Sequence, residues 1–251
     1  EYVELAGEVN DITSSVIRPD PRQRDENWDS SFSFLVSEKP PQHPIGAKSS
    51  DRIFISSIQD AVTRYNRFAL IGEPGAGKTT TIRRLALSAA RQRIRTPYSV
   101  PLPLLLYLPT WDDNLSFEGF IEENWPFDSE LLIKSNILLY LDGLNEMGAG
   151  TKHKVRQLRT WLASQQSSNR VIITCRVEDY AGDLDLGLPT VQVEAMDDEK
   201  IRRFVQNYLK ERSHLFLNRV LGSDDYNEQH LKRLAANPYL LSALIFLFDN
   251  S

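Results

Sequence analysis

The chain has 251 residues, 41% hydrophobic and 25% charged, with a formal net charge of −5 and a pI of about 5.5. These values fit one large or two small globular domains and argue against a dedicated nucleic-acid or acidic-membrane binder, leaving room only for a local basic patch. Cys175 is the single cysteine, which excludes an internal disulfide and fits a reducing, cytoplasmic setting; no apolar run approaches the ~20 residues of a membrane span, and no signal peptide is visible. Because the chain opens on Glu1 and stops at Ser251 just after an apolar helix, it is expected to be a segment of a longer protein.

Residues 1–50 read as an N-terminal arm or linker of unassigned structure. Tyr2–Val9 fits a short strand or a helix, Arg18–Ser30 mixes Pro with charge, and Pro40, Pro41, Pro44 and Gly46 punctuate the run from Lys39 to Ser50. Phe32, Phe34 and Leu35 lie between, placed either to pack on the domain that follows or to meet another subunit or an effector. From Asp51 the spacing of Ile55, Ile58, Val62 and Tyr65 predicts a helix, with capping groups over Ser49–Asp51.

Phe68–Ile71 is a short apolar run that reads as a strand. It leads into Gly72, Glu73, Pro74, Gly75, Ala76, Gly77, Lys78, Thr79 and Thr80, which match G-x-x-x-x-G-K-[ST]. The chemistry requires those residue types. Glycines at 72, 75 and 77 carry no Cβ, so consecutive backbone amides can close around a phosphate. Lys78 supplies a point charge for the β- and γ-phosphates, and Thr79 supplies a hydroxyl for Mg²⁺. A helix is predicted to start here through Ile82, Leu85, Ala86 and Ala89, aiming its positive end at the same anion.

Leu104–Leu108 is a continuous apolar run, as expected of a strand buried on both faces. Between Trp111 and Trp125 a loop and a helix through Phe117, Phe120 and Ile121 are predicted, and Ser129–Lys134 fits a further helical turn. Ile137–Leu141 runs straight into Asp142, then Gly143, Leu144, Asn145 and Glu146. This pattern places Asp142 at the carboxyl end of a buried strand, facing Mg²⁺ through water beside Thr79, and Glu146 where a general base could polarise water. The next helix carries Val155, Leu158 and Leu162 on one face, with Lys152, Lys154, Arg156 and Arg159 read as a solvated basic face. Val171–Thr174 is a strand ending in Cys175 and Arg176, and a cation there would face the γ-phosphate. Arg176 is therefore the sensor candidate, with Thr174 second. Thr190–Glu194 alternates like an edge strand.

From Met196 the pattern is helical. Ile201, Phe204, Val205, Tyr208 and Leu209 form one amphipathic face, begun by Asp197, Asp198 and Glu199. Leu231, Leu234 and Ala235 mark another helix. Asn237 and Pro238 read as N-cap and first residue of a third, with Tyr239–Phe248 as a buried helix. The Asn-Lys-x-Asp motif of guanine-reading GTPases does not occur, which favours ATP. His43, His153, His214 and His230 lack metal-ligand spacing, and Cys175 lacks the partners of a nucleophile.

The runs Gly72-Glu-Pro-Gly-Ala-Gly-Lys-Thr-Thr, Leu-Leu-Tyr-Leu-Asp-Gly-Leu-Asn-Glu146, Ile-Ile-Thr-Cys-Arg176 and Asn-Pro-Tyr-Leu-Leu241 together resemble the NACHT domain, which belongs to the STAND class of signal-transducing P-loop ATPases. The similarity runs from about residue 50 to the end. It implies an α/β fold, a P-loop NTPase three-layer sandwich with parallel sheet order 5-1-4-3-2, followed by a small all-helical domain. The expected division is 1–50 arm, 51–195 nucleotide-binding domain and 196–251 helical domain. By the resemblance, Pro238 would approach the adenine and Arg176 would be sensor 1. The family usually carries two acidic residues where this chain has Asn145 and Glu146, which bears on the hydrolysis rate.

The resulting expectation is a cytoplasmic switch that binds ATP or ADP with Mg²⁺, hydrolyses ATP slowly through Lys78, Glu146 and Arg176, and self-associates in the ATP state. Immune, antiphage or cell-death signalling is the implied setting. The family's winged helix and sensor region are not recognised in the sequence, so sensor ligand and effector would act through flanking segments, with no membrane or nucleic-acid partner. An AAA+-like ATPase that remodels DNA or protein complexes, and a nucleotide-binding scaffold with negligible hydrolysis, are the alternatives.

Overall fold

The computed structural model describes residues 58–97, 99–127, 136–164, 169–222 and 226–250. The readings made for the arm at 1–50, for the start of the helix at 51–57 and for a helical turn at 129–134 lie outside the described residues.

Apolar runs that end in polar or glycine residues become the strands: β1 (Arg67–Gly72), β2 (Leu102–Tyr107), β3 (Ile137–Asp142), β4 (Arg170–Arg176) and β5 (Thr190–Val193). They form a five-stranded sheet ordered β2-β3-β4-β1-β5, with every pair parallel. Read from the β5 edge this is 5-1-4-3-2, the expected order. Alternation along the strands then divides the core into two layers. Phe68, Leu70, Leu138, Tyr140 and Ile172 face α1 (Ile58–Arg64) and α2 (Lys78–Arg95). Ala69, Ile71, Leu139, Leu141, Val171 and Ile173 face α3 (Phe117–Glu123) and α4 (Thr151–Ser164). Each large side chain taken out of water there contributes roughly 1.5–3 kcal/mol, so the central strands hold the sheet to its helices.

Two expectations about the sheet and its flanking helices are corrected. β2 is an edge strand and is not buried on both faces: Leu104 and Leu106 pack inward, whereas Leu105 and Tyr107 are exposed. The face of α4 read as solvated contains one buried cation. Lys154 is only 4% exposed, because its ammonium donates to the Trp111 carbonyl, pairs with Asp113 at 2.7 Å and lies over the Trp111 ring. Lys152 is exposed as read, and Arg159 donates to carbonyl groups of the loop after β4.

Beyond β5 the chain forms α5 (Asp198–Leu209), α6 (Ser213–Leu221), α7 (Tyr226–Ala235) and α8 (Pro238–Asp249). They build a separate core from Met196, Ile201, Val205, Phe216, Leu217, Leu241 and Ile245 among others. Helix α6 was not anticipated; it has no capping side chain at its start, so its sequence lacks the usual punctuation. Nor is α8 buried all round: Leu241 and Ile245 point into the core, while Tyr239, Phe246 and Leu247 are more than half exposed. Among the described residues no helix is long and apolar enough to cross a membrane.

The Lys154 arrangement predicts opposite results for its two partners. Lys154→Met should be neutral or stabilising, because an apolar side chain of similar length needs no partner there. Asp113→Ala should destabilise by about 1–3 kcal/mol by stripping a buried cation of its counter-charge. Urea unfolding of both variants tests this.

Candidate nucleotide site

Parallel strands deliver their carboxyl ends to one edge, and that edge is where loops in such sheets meet ligands. The register pairs Gly72 of β1 with Arg176 of β4, and Leu70 with Thr174. Leu141 of β3 stands beside Ile173 of β4, so Asp142 lies alongside Thr174. The phosphate-loop motif, the acidic strand end and the cationic strand end thus converge without any long side chain having to reach. They line a cleft of about 140 Å³ that includes Gly75, Gly77, Lys78, Thr79, Asp142 and Glu146.

Gly77 begins α2 in the left-handed region, at φ 90°, with no side chain capping the helix. A residue with a Cβ pays a steric cost at that angle. Among the described residues, the amides of Gly75, Gly77, Lys78 and Thr79 meet no protein acceptor, whereas the Ala76 amide turns onto the Glu73 carbonyl at 3.1 Å. Unmet amides at a helix start form a ready anion cradle. Lys78 Nζ is held over it, donating to the Gly72 and Glu73 carbonyls at 2.8 and 2.9 Å. Desolvation, then the nearby Arg176 guanidinium, lowers the Lys78 pKa below its ordinary 10.5. A bound anion would oppose both effects.

Asp142 is 3% exposed. Its Oδ1 accepts from Thr79 Oγ1 at 3.2 Å and from Thr174 Oγ1 at 2.6 Å, and Thr174 Oγ1 in turn accepts from the Gly143 amide at 2.9 Å. The Thr79 hydroxyl and the Asp142 carboxylate offer adjacent hard oxygen donors, the set that suits Mg²⁺ completed by phosphate and water. Glu146 sits on the 3-10 turn after β3. Its Oε2 accepts from the Tyr107 hydroxyl at 3.3 Å, and its Oε1 lies 3.9 Å from the Arg176 guanidinium. Desolvation and the Glu146 carboxylate push the Tyr107 hydroxyl up from 10.0, so it remains a proton donor. Asn145 Oδ1 accepts from the Arg176 amide at 3.1 Å and ties the two strand ends together.

Pro74, Gly75, Gly77, Lys78, Thr79, Asp142, Asn145, Glu146, Thr174 and Arg176 therefore share one cleft. Gly72 contributes its carbonyl to Lys78, Ala76 packs into the α2 side of the core, and Glu73 and Thr80 point outward to solvent. Pro238 stands in α8, whose first turn touches the loop through Tyr239. Cys175 is buried, and desolvation first of all raises its thiol pKa to about 11, which removes it as a nucleophile. Tyr107 carries no signal of its own in the sequence, and Thr174, the second sensor candidate, also donates to the Asp142 carboxylate. The clue was the parallel register, which sets Thr174 beside Asp142 before any side chain is placed.

Two outcomes follow. Lys78→Ala should weaken Mg²⁺–ATP binding by about 10–100-fold, the scale of a lost charge-assisted contact; calorimetric titration reads it. Thr174→Val keeps shape but removes both of its hydrogen bonds. It should raise the Mg²⁺ concentration needed for half-maximal binding about fivefold while leaving metal-free nucleotide affinity unchanged, and Thr174→Ser should restore it.

A comparison with curated proteins yields no significant match. Among solved structures, "Structure of C. elegans PCH-2" is similar at 13% identity and a TM-score of 0.36, over 68% of this chain and 50% of that one. The chain thus spans about half the length of that structure, and a likeness of this degree carries no functional argument. The family model described as the NACHT domain matches residues 66–212, from the residue before β1 through the turn after α5. With more than half of its length matched, and with the phosphate loop, the acidic strand end and the cationic strand end at one cleft, the chain belongs to the NACHT domain family.

Proposed function

We propose that this chain is the nucleotide-binding core of an ATP-driven signalling switch of the STAND class. It binds ATP or ADP with Mg²⁺, hydrolyses ATP slowly, and self-associates in the ATP state. Residues 51–195 act as the nucleotide-binding domain and 196–251 as the helical domain that responds to it. The setting proposed is cytoplasmic, in immune, antiphage or cell-death signalling, with sensor ligand and effector engaged through flanking segments.

In this reading the unmet amides and Lys78 hold the phosphates, Thr79 and Asp142 hold Mg²⁺, and Pro238 approaches the adenine. Bound Mg²⁺ would neutralise charge on the β- and γ-phosphates. The observation that carries slow turnover is the engagement of Glu146. Its carboxylate lies between the Tyr107 hydroxyl and the Arg176 guanidinium. The Tyr107 hydroxyl competes with water for that carboxylate, and its contact does not depend on Arg176. The adjacent Asn145 brings no second carboxylate. A γ-phosphate would compete with Glu146 for Arg176, giving the protein a means of telling ATP from ADP by which anion holds one guanidinium.

Asn145 favours one other reading, a nucleotide-binding scaffold with negligible hydrolysis. Multiple-turnover ATPase assays separate these. Slow turnover that falls by about 10²–10⁴-fold in Glu146→Gln supports the switch, and Asn145→Asp should raise it. No turnover above background in the unmodified chain supports the scaffold. Fast turnover stimulated by DNA would favour the remodelling ATPase instead.

A further inference from the structure

We infer that Asn237, at the start of α8, is a positioning residue that clamps the phosphate loop from its outer side and couples nucleotide affinity to the seating of the helical bundle. The inference rests on the nucleotide-switch reading above for its consequence, but on geometry alone for the clamp.

Asn237 does two things with one amide. Its Oδ1 caps α8, accepting from the amides of Tyr239 at 3.0 Å and Leu240 at 3.3 Å. Its Nδ2 donates to the Pro74 carbonyl at 2.9 Å, across 163 positions of sequence. The amide has only one orientation that satisfies these partners, since two N–H donors face one end and a carbonyl faces the other. Capping by itself asks only for an acceptor, which Ser, Thr or Asp would supply equally well. A residue with a donor beside that acceptor is needed only if the loop is to be held too.

The loop is shaped for the same contact. The Tyr239 amide also lies 3.3 Å from the Gly75 carbonyl. Gly75 has φ +76°, and a Cβ there would come within 2.8 Å of Asn237 Oδ1 and 3.0 Å of Tyr239 Cβ. Glycine is thus required at 75 both by backbone angle and by the approach of α8. The peptide between Pro74 and Gly75 is trans, so its carbonyl and its N–H point in opposite directions. Drawing the Pro74 carbonyl toward α8 turns the Gly75 amide the other way, on a residue that lines the cleft.

The other end of the clamp is anchored. Leu241 and Ile245 of α8 are buried in the helical core, and the Met196 amide donates to the Ala236 carbonyl at 2.8 Å, closing the bundle just before Asn237. Moving the bundle therefore moves the donor that sets the loop. Coupling of this kind is reciprocal: a nucleotide that prefers the clamped loop also favours the seated bundle, by the same factor.

The test uses the 251-residue chain with Asn237→Asp, and Asn237→Ser as a second variant. Both keep a capping acceptor and lose the donor to Pro74. Thermal stability of the nucleotide-free protein should stay close to that of the unmodified chain, which separates clamping from capping. Hydrogen exchange at the Ala76 and Thr81 amides, which donate to the Glu73 and Gly77 carbonyls, should quicken in the nucleotide-free variants, and Mg²⁺–ADP affinity should fall about fivefold, the scale of one neutral hydrogen bond. Unchanged exchange in both variants would overturn the clamp. Faster exchange with unchanged affinity would overturn the coupling to nucleotide. An unmodified chain that binds no Mg²⁺–ADP, while the variants still exchange faster, would refute the nucleotide reading and leave the clamp standing.

Discussion

A helix that starts without a cap leaves its first amides unmet, and α2 starts that way at Gly77. In most helices a Ser, Asp or Asn closes that gap. Here it is left open at the carboxyl edge of a buried parallel sheet, beside a lysine held over it by two carbonyl groups. An unmet donor in a partly enclosed place costs free energy until an acceptor arrives. The loop thereby stores a preference for an anion. The remaining parts of the cleft make sense as what such an anion would bring with it: a pair of hard oxygens for its metal, and a guanidinium and a carboxylate for its far end.

The sheet explains why these groups need not be close in sequence. In a parallel register, neighbours on adjacent strands present side chains to the same face. Thr174 therefore meets Asp142 because Ile173 lies beside Leu141, and Arg176 arrives at the loop because it pairs with Gly72. Local order then follows from hydrogen bonds that cross between strand ends: Thr174 to the Asp142 carboxylate, Gly143 to Thr174, and Arg176 to Asn145.

The sequence made the strands, their ends and the loop legible because those features are local. Phe68–Ile71 and Ile137–Leu141 are continuous apolar runs, and the glycine pattern is a fixed string. What escaped was relational. Lys154 looks like any lysine on a basic helix face until Asp113 and the Trp111 carbonyl are brought to it across some forty positions. Leu105 and Tyr107 look buried because edge position depends on which strands lie outside β2. Helix α6 begins without a capping side chain, and Tyr107 approaches Glu146 only once β2 and β3 are paired. Asn237 was readable as a cap, but its second bond runs to a loop 163 residues earlier.

Magnitudes limit what any one of these contacts can do. Driving a two-state equilibrium from about 1:99 to 99:1 takes roughly 5.5 kcal/mol of differential binding, while a neutral hydrogen bond such as that from Asn237 to Pro74 contributes about 1 kcal/mol. The clamp can therefore bias the helical bundle but cannot set its position. The larger share has to come from groups that meet a charge in one nucleotide state and not in the other. Under the proposed switch Arg176 is the candidate, since it is a cation and its present partner, Glu146, stands at 3.9 Å with both side chains nearly half exposed. An exposed pair at that distance is worth little, so in the proposed switch exchanging it for a phosphate would cost almost nothing and would gain a charge-assisted contact. In the proposed switch, the weakly held guanidinium facing the cleft would add a larger electrostatic share than the neutral clamp behind it, and the clamp would carry direction to the bundle.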